Sequence, residues 1–216
     1  EGLECKPVLV PDEVVRYLMT PAHREAILET TGAEPQWVPQ ESKVLLHGTI
    51  DQVNLGARAL ARVCTHCLWG ASEDKIMRLL KPAYVESMLV RLSPMGIGLR
   101  AGDKMLGPAG HTMTVGKDPS NDVVVADPLV SRQHLCLELD FDRGAVYAIN
   151  LSTNGTFLNG KRLPDKTQGK VLVTHGDELL LKDPRVDGEF GYMVNLVDNT
   201  VNLAEHSTTT GGATDA

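Results

Sequence analysis

The chain has 216 residues, is 42% hydrophobic and 23% charged, and carries a formal net charge of −7. That length predicts one large or two small domains with a proper core, and the acidic balance argues against gripping nucleic acid through an overall positive field. No apolar run reaches the length of a membrane span and no signal-peptide pattern opens the sequence, so no membrane association is expected.

In chain order, helical signals dominate before residue 70. "PDEVVRYLM" (11–19) opens on Pro and acidic residues, as helix N-termini do, and places Val14, Val15, Leu18 and Met19 at helical spacing. "PAHREAILETTGA" predicts a second short helix closed by Gly32. "EPQWVPQ" and "KVLLH" predict short strands, and "IDQVNLGARALARV" (50–63) a helix capped by Asp51. The order is strand, helix, helix, strand, strand, helix. "EDKIMRLL" (73–80) predicts a helical connector. From about residue 84, short runs such as "SMLVRLS", "HTMTVGK", "HLCLELD", "AVYAIN" and "GYMVNLV" alternate with Gly, Pro, Asp and Asn, the punctuation of an all-β sandwich. After 200 the sequence is small and polar, which predicts a disordered tail.

The four cysteines, Cys5, Cys64, Cys67 and Cys136, do not form the framework of a small secreted domain. An intracellular setting, nuclear or cytoplasmic, is expected. Cys64-Thr-His-Cys67 has metal-ligand spacing, but it continues a helical pattern and has no second CxxC to complete a tetrahedral site. Reduced, partly buried thiols are the expectation, with no metal and no cofactor.

Three stretches of the β half belong together: "TVGKDPSNDVVVADPLVSRQH" (114–134), "LSTNGTFLNG" (151–160) and "THGDELLL" (174–181). In order and spacing they resemble the forkhead-associated (FHA) domain, over about residues 84–200. The resemblance implies a β-sandwich that reads phosphothreonine peptides. It implies that Lys117, where the family usually has Arg, and Arg132 supply charge, and that the Ser131 hydroxyl donates to the phosphate. Thr153 and Asn154 would lie on the facing loop, the Asn154 amide contacting the peptide backbone. Gly116 and Gly155 would permit the backbone turns, and His134 would organise the loops. The residue chemistry agrees, because a dianionic phosphate needs several donors converging from loops on a rigid scaffold. Lysine lacks the planar fork of arginine, so position 117 keeps charge but loses bidentate geometry. Leu129 stands where some family members select the third residue after the phosphothreonine, and its apolar side chain predicts a neutral or apolar preference. Asn159-Gly160 reads as a plain turn, and Lys161-Arg162 as a solvated hairpin edge.

"VPDEVVRYLM", "AILETTGA" and "VLLHGTIDQVNLGARALARV" resemble a eukaryotic-type KH domain over about residues 3–67. In that family a GxxG loop clamps the nucleic-acid backbone. The corresponding Leu18, Met19, Thr20 and Pro21 contain no glycine. Through residue 70 there are six Lys/Arg against nine Asp/Glu, a net of −3 that repels phosphates.

The reading is therefore two domains: an N-terminal α+β unit (KH type I-like, βααββα) over 1–70, a linker helix over 71–83, an all-β FHA sandwich over 84–200 and a tail over 201–216. The expected function is a non-catalytic adaptor for a threonine-phosphorylated protein or peptide, the KH-like unit serving protein contact or domain packing. The alternative is an RNA-binding or RNA-processing protein whose FHA domain recruits phosphorylated factors. No nucleophile elbow, P-loop or HExxH appears, and "GIGLRAG" (96–102) reads as a loop between strands, so no enzyme is expected. "STTT" (207–210), if phosphorylated, would reach the pocket of another copy and give self-association.

Overall fold

The computed structural model describes residues 2–198. The tail and its STTT segment lie outside the described residues. The first unit runs β1 (Glu4–Leu9), α1 (Asp12–Leu18), α2 (Pro21–Thr31), β2 (Glu34–Val38), β3 (Lys43–Gly48) and α3 (Ile50–His66), the order the sequence predicts. Its three strands form an antiparallel sheet in the order β1-β3-β2. Gly32 ends α2 with φ of 71°, a left-handed conformation that glycine adopts without Cβ strain. The cap of α3 differs from expectation. Thr49, not Asp51, is the N-cap, and it forms a reciprocal capping box with Gln52, leaving Asp51 in the first turn. The turn at 18–21 is not an open loop: Leu18 is fully buried, Thr20 caps α2, and Pro21 is its first residue.

After α3, α4 (Glu73–Leu80) leads into β4 (Met88–Met95), β5 (Gly102–Leu106), β6 (Thr112–Gly116), β7 (Val123–Val124), β8 (Leu135–Asp140) and β9 (Ala145–Asn150). Then come β10 (Phe157–Leu158), β11 (Lys161–Arg162), β12 (Val171–Val173), β13 (Glu178–Leu180), the short α5 (Pro184–Asp187) and β14 (Gly191–Asp198). They form a six-stranded sheet, β11-β10-β13-β14-β4-β5, and a five-stranded sheet, β12-β9-β8-β6-β7. The facing sides of the two sheets close over one core that includes Met88, Leu92, Leu106, Leu137, Val146 and Tyr192. This is the expected β-sandwich.

The outer face of the five-stranded sheet is covered. Successive strand residues point to opposite faces, so Val146 and Ala148 of β9 enter the sandwich core while Ala145 and Tyr147 point away. Ala145, Tyr147 and Leu172 join the core of the N-terminal unit, with Leu60 and Val63 of α3 and Ile76, Leu79 and Leu80 of α4. The helix at 73–80 is thus a packed wedge between the two units. Its Lys75 is fully buried and pairs with Asp177 at 3.0 Å. The second Asn-Gly pair is not a plain turn. Asn159 (φ 49°) donates from Nδ2 to the Trp69 carbonyl at 2.6 Å and to Asp177 at 2.8 Å, and its Oδ1 accepts from the Glu178 N–H. Arg162 on the neighbouring edge accepts at its carbonyl from the Trp69 indole N–H at 3.0 Å, so that edge is tied down rather than merely solvated.

Candidate functional site

Three loops meet at one end of the five-stranded sheet: 117–122 after β6, 125–134 before β8, and 151–156 after β9. Backbone bonds hold them together. Lys117 N–H donates to the Ser131 carbonyl at 2.9 Å, Asp118 N–H to the Arg132 carbonyl at 3.0 Å, and Leu151 N–H to the His134 carbonyl at 2.9 Å. Gly116 is required by this closeness, because a Cβ there would stand 2.3 Å from the Arg132 carbonyl oxygen. Gly155 sits at φ 103°, where a side chain would be strained.

Ser131 is half-buried, and its Oγ accepts from the Thr153 N–H at 3.2 Å. That bond uses a lone pair and leaves the hydroxyl hydrogen free to donate. Lys117 and Arg132 are exposed beside it, and neither enters an ion pair among the described residues. Asn154 donates from Nδ2 to the Leu129 carbonyl at 2.9 Å, linking the facing loop to 125–134. Its Oδ1 and second N–H retain capacity for a peptide backbone. Lys117, Ser131, Arg132, Thr153 and Asn154 are therefore brought together on one rim.

His134 is fully buried, and its Nδ1 accepts from the Ser131 N–H at 3.1 Å. Burial pushes its pKa down to about 4, opposed by the Gly155 backbone, so the ring is neutral and fixes the serine loop. Two carboxylates stand nearby. Burial acts to raise Asp127, but hydrogen bonds from Lys182 (2.6 Å) and the Leu129 N–H hold it below its ordinary value, with a smaller contribution from Lys117. Asp118 is lowered by its hydrogen bonds with Ser120, and secondarily by Arg132.

Two supporting residues escaped the sequence reading. Asn121 donates to the Arg132 carbonyl at 2.7 Å and to the Asp118 carbonyl at 2.8 Å, fixing the loop that carries Lys117. Asn150 accepts at Oδ1 from the Ser152 N–H, the Ser152 hydroxyl and the Thr156 hydroxyl, which shapes the loop carrying Thr153 and Asn154. An Asn two residues before a Ser is an Asx-turn signal, and it was there to be read.

The family model described as FHA domain matches residues 113–182, which include all three loops. These residues form an FHA domain. The chain is 53% identical over 57 residues to an ABC transporter ATP-binding/permease protein of Mycobacterium tuberculosis, covering 26% of this chain and 6% of that protein. It is 33% identical over 76 residues to a DNA damage response protein kinase of Saccharomyces cerevisiae, covering 32% of this chain and 14% of that protein. The chain thus spans only a small part of either relative. Among solved structures, the N-terminal FHA domain of S. cerevisiae Rad53p in complex with a phosphothreonine peptide aligns at 20% identity with a TM-score of 0.45, covering 55% of this chain and 98% of that one. An engineered FHA domain with a Myc-pTBD peptide aligns at 19% identity with a TM-score of 0.44, over 55% of this chain and 98% of that chain.

Elsewhere, Cys5, Cys64, Cys67 and Cys136 are all free, and no metal-ligating cluster occurs among the described residues. Burial raises the Cys67 thiol to about 11, so it is an unreactive thiol at neutral pH. No helix among the described residues is long and apolar enough to cross a membrane.

Proposed function

We propose that this chain is a non-catalytic adaptor that binds threonine-phosphorylated protein or peptide partners through its FHA domain. Lys117 and Arg132 supply charge, Ser131 donates its hydroxyl to the phosphate, and Thr153 and Asn154 hold the peptide on the facing loop. The observation that carries this reading is the Ser131 hydroxyl, oriented by the Thr153 N–H with its proton uncommitted, beside two exposed cations that form no ion pair among the described residues. FHA domains belong to the phospho-motif readers, which supports the same conclusion. Phosphorylation would switch binding, since it creates the charge the rim is arranged to receive.

The N-terminal unit, KH-like in its element order, serves domain packing in this proposal. Its acidic balance, the buried Leu18 and the capped 18–21 turn all speak against clamping an RNA backbone.

Titration of the full chain with a phosphothreonine peptide and its unmodified twin is the test. A preference of at least tenfold for the phosphorylated form is expected, together with a loss of about 10–100-fold in Ser131→Ala, the size of a hydrogen bond to a charged group. Equal affinity for the two peptides would sink the proposal.

A further inference from the structure

A second concentration of positive charge lies at the opposite end of the same sheet. β8 runs away from the peptide-facing loops and β9 runs back, so their connecting turn at 141–144 is roughly 20 Å from those loops. Between that turn, the start of β12, α3 and α4 is a cleft of about 240 Å³. Its polar lining is Arg62, His66, Arg78, Arg143, Lys170 and Tyr147, and no carboxylate among the described residues lines it. Arg62 and Arg78 come from the N-terminal helices, while Arg143 and Lys170 come from the sandwich.

These are not simply four solvated charges. Arg78 is fixed by Asp74 at 3.2 Å and by the Gly144 carbonyl at 2.7 Å, across the junction. Lys170 is fixed by Glu138 at 2.7 Å and lies over the Tyr147 ring at 4.7 Å. Arg143 meets Asp140 at 3.5 Å, and Arg62 has no ion-pair partner among the described residues. The anchoring carboxylates stand outside the cleft, and each guanidinium retains unused donors. His66 accepts at Nδ1 from the Leu172 N–H at 3.2 Å and presents a neutral ring. Burial first, then Lys75, Arg62 and Arg143, pushes its pKa down to about 4.

We propose that the cleft binds a compact oligophosphate anion: pyrophosphate, or the phosphate chain of a nucleotide. Guanidinium forks suit phosphate oxygens bidentately, and the three guanidiniums and one ammonium lining the cleft keep donors beyond those their carboxylates occupy, enough for several phosphate oxygens. The volume falls below the roughly 300–1,000 Å³ of pockets that enclose a drug-sized ligand, so a nucleoside would remain outside. Since the cations come from both units, the bound anion would bridge them and stabilise the junction.

Calorimetric titration of the full chain at low salt with inorganic phosphate, pyrophosphate and ATP tests this. Pyrophosphate and ATP are expected to bind saturably and more tightly than phosphate. Affinity should fall at least tenfold in the Arg62→Ala/Arg143→Ala double variant, whose sites are exposed, and several-fold in Lys170→Gln, with circular dichroism unchanged. It should persist in Ser131→Ala, which separates this cleft from the phosphothreonine site. Inorganic tripolyphosphate is the matched control: ATP binding more tightly than it identifies a nucleotide as the source, and equal or weaker binding of ATP identifies a free oligophosphate. Absence of saturable binding by all of these anions, binding indifferent to the cleft variants, or binding lost in Ser131→Ala overturns the proposal.

Discussion

Two Asn-Gly pairs stand five residues apart, at 154–155 and 159–160, and they have opposite fates. Asn154 is exposed, and its side chain makes one bond among the described residues, to the Leu129 carbonyl, leaving polar capacity on the rim. Asn159 uses both ends of its amide to bind Trp69, Asp177 and Glu178 at the junction between the units. The same dipeptide, chosen in both places because it tolerates a tight turn, leaves an open amide where it faces solvent and is a clamp where a second unit packs over it. What differs is the company, and the dipeptide itself does not encode it.

The sharpest way to break this contrast is to attack the clamp. Lys75→Ala leaves the Asp177 carboxylate without its buried counter-ion, and unfolding in urea should show a loss of about 3–5 kcal/mol. Phosphopeptide affinity of the folded variant should stay within twofold. A variant that keeps its stability would mean that the junction contributes little to the fold.

Lowering the pH acts on both ends at once. His134 has its folded-state pKa depressed from 6.5 to about 4, so the unfolded chain binds a proton more readily than the native one between those values. The stability from keeping this ring neutral is fully present above pH 6.5 and is lost as the pH falls toward 4. The loss from His134 is about 3 kcal/mol, with no further loss below 4. The depressed His66 acts in the same direction. An NMR titration of the His134 ring should give a midpoint near 4, and a midpoint near 6.5 would remove the argument.

Next in size is the direct comparison. Asn159→Ala should cost about 2–3 kcal/mol of stability through lost hydrogen bonds and a strained positive φ, without weakening the phosphopeptide. Asn154→Ala should do the reverse, costing under about 1 kcal/mol of stability while weakening the peptide several-fold. Denaturation and fluorescence polarisation on both variants settle the matter, and matching profiles would dissolve the distinction.

The smallest effect is at position 117. Lys117→Arg supplies a fork where the sequence has a point charge, and a gain of about two- to fivefold in phosphopeptide affinity is expected. A loss on this substitution would mean that the loop is shaped for lysine.

Local signals carried the legible part of the molecule. Gly32 announces its helix end, Gly155 its turn, and the short punctuated runs the sandwich, because each depends on neighbours within a few residues; Gly116, expected to permit a turn, instead ends strand β6 and allows the close approach of the Arg132 carbonyl. The rim was legible for the same reason, since its parts fall in three compact stretches. The capping of α3 by Thr49 rather than Asp51 was a two-residue ambiguity between two competent caps. The junction was not legible at all. Asn159 and Trp69 are 90 residues apart, and His66 and Leu172 are 106 apart, so nothing near either one in sequence reports the contact. The basic cleft was invisible for that reason: its cations, read one at a time, look like ordinary surface charges.

The covered outer face of β9 also governs how this protein can be cut. A fragment starting at residue 84 would keep Lys117, Ser131, Arg132, Thr153 and Asn154. It would also uncover Tyr147, Ala145 and Leu172 together, and strand Asp177 without Lys75. Such a piece would present a greasy sheet face to its own copies, an invitation to clump. The FHA sandwich and the helices behind it are thus fused parts of a single body, and recombination that swapped one without the other would have to repaint the seam.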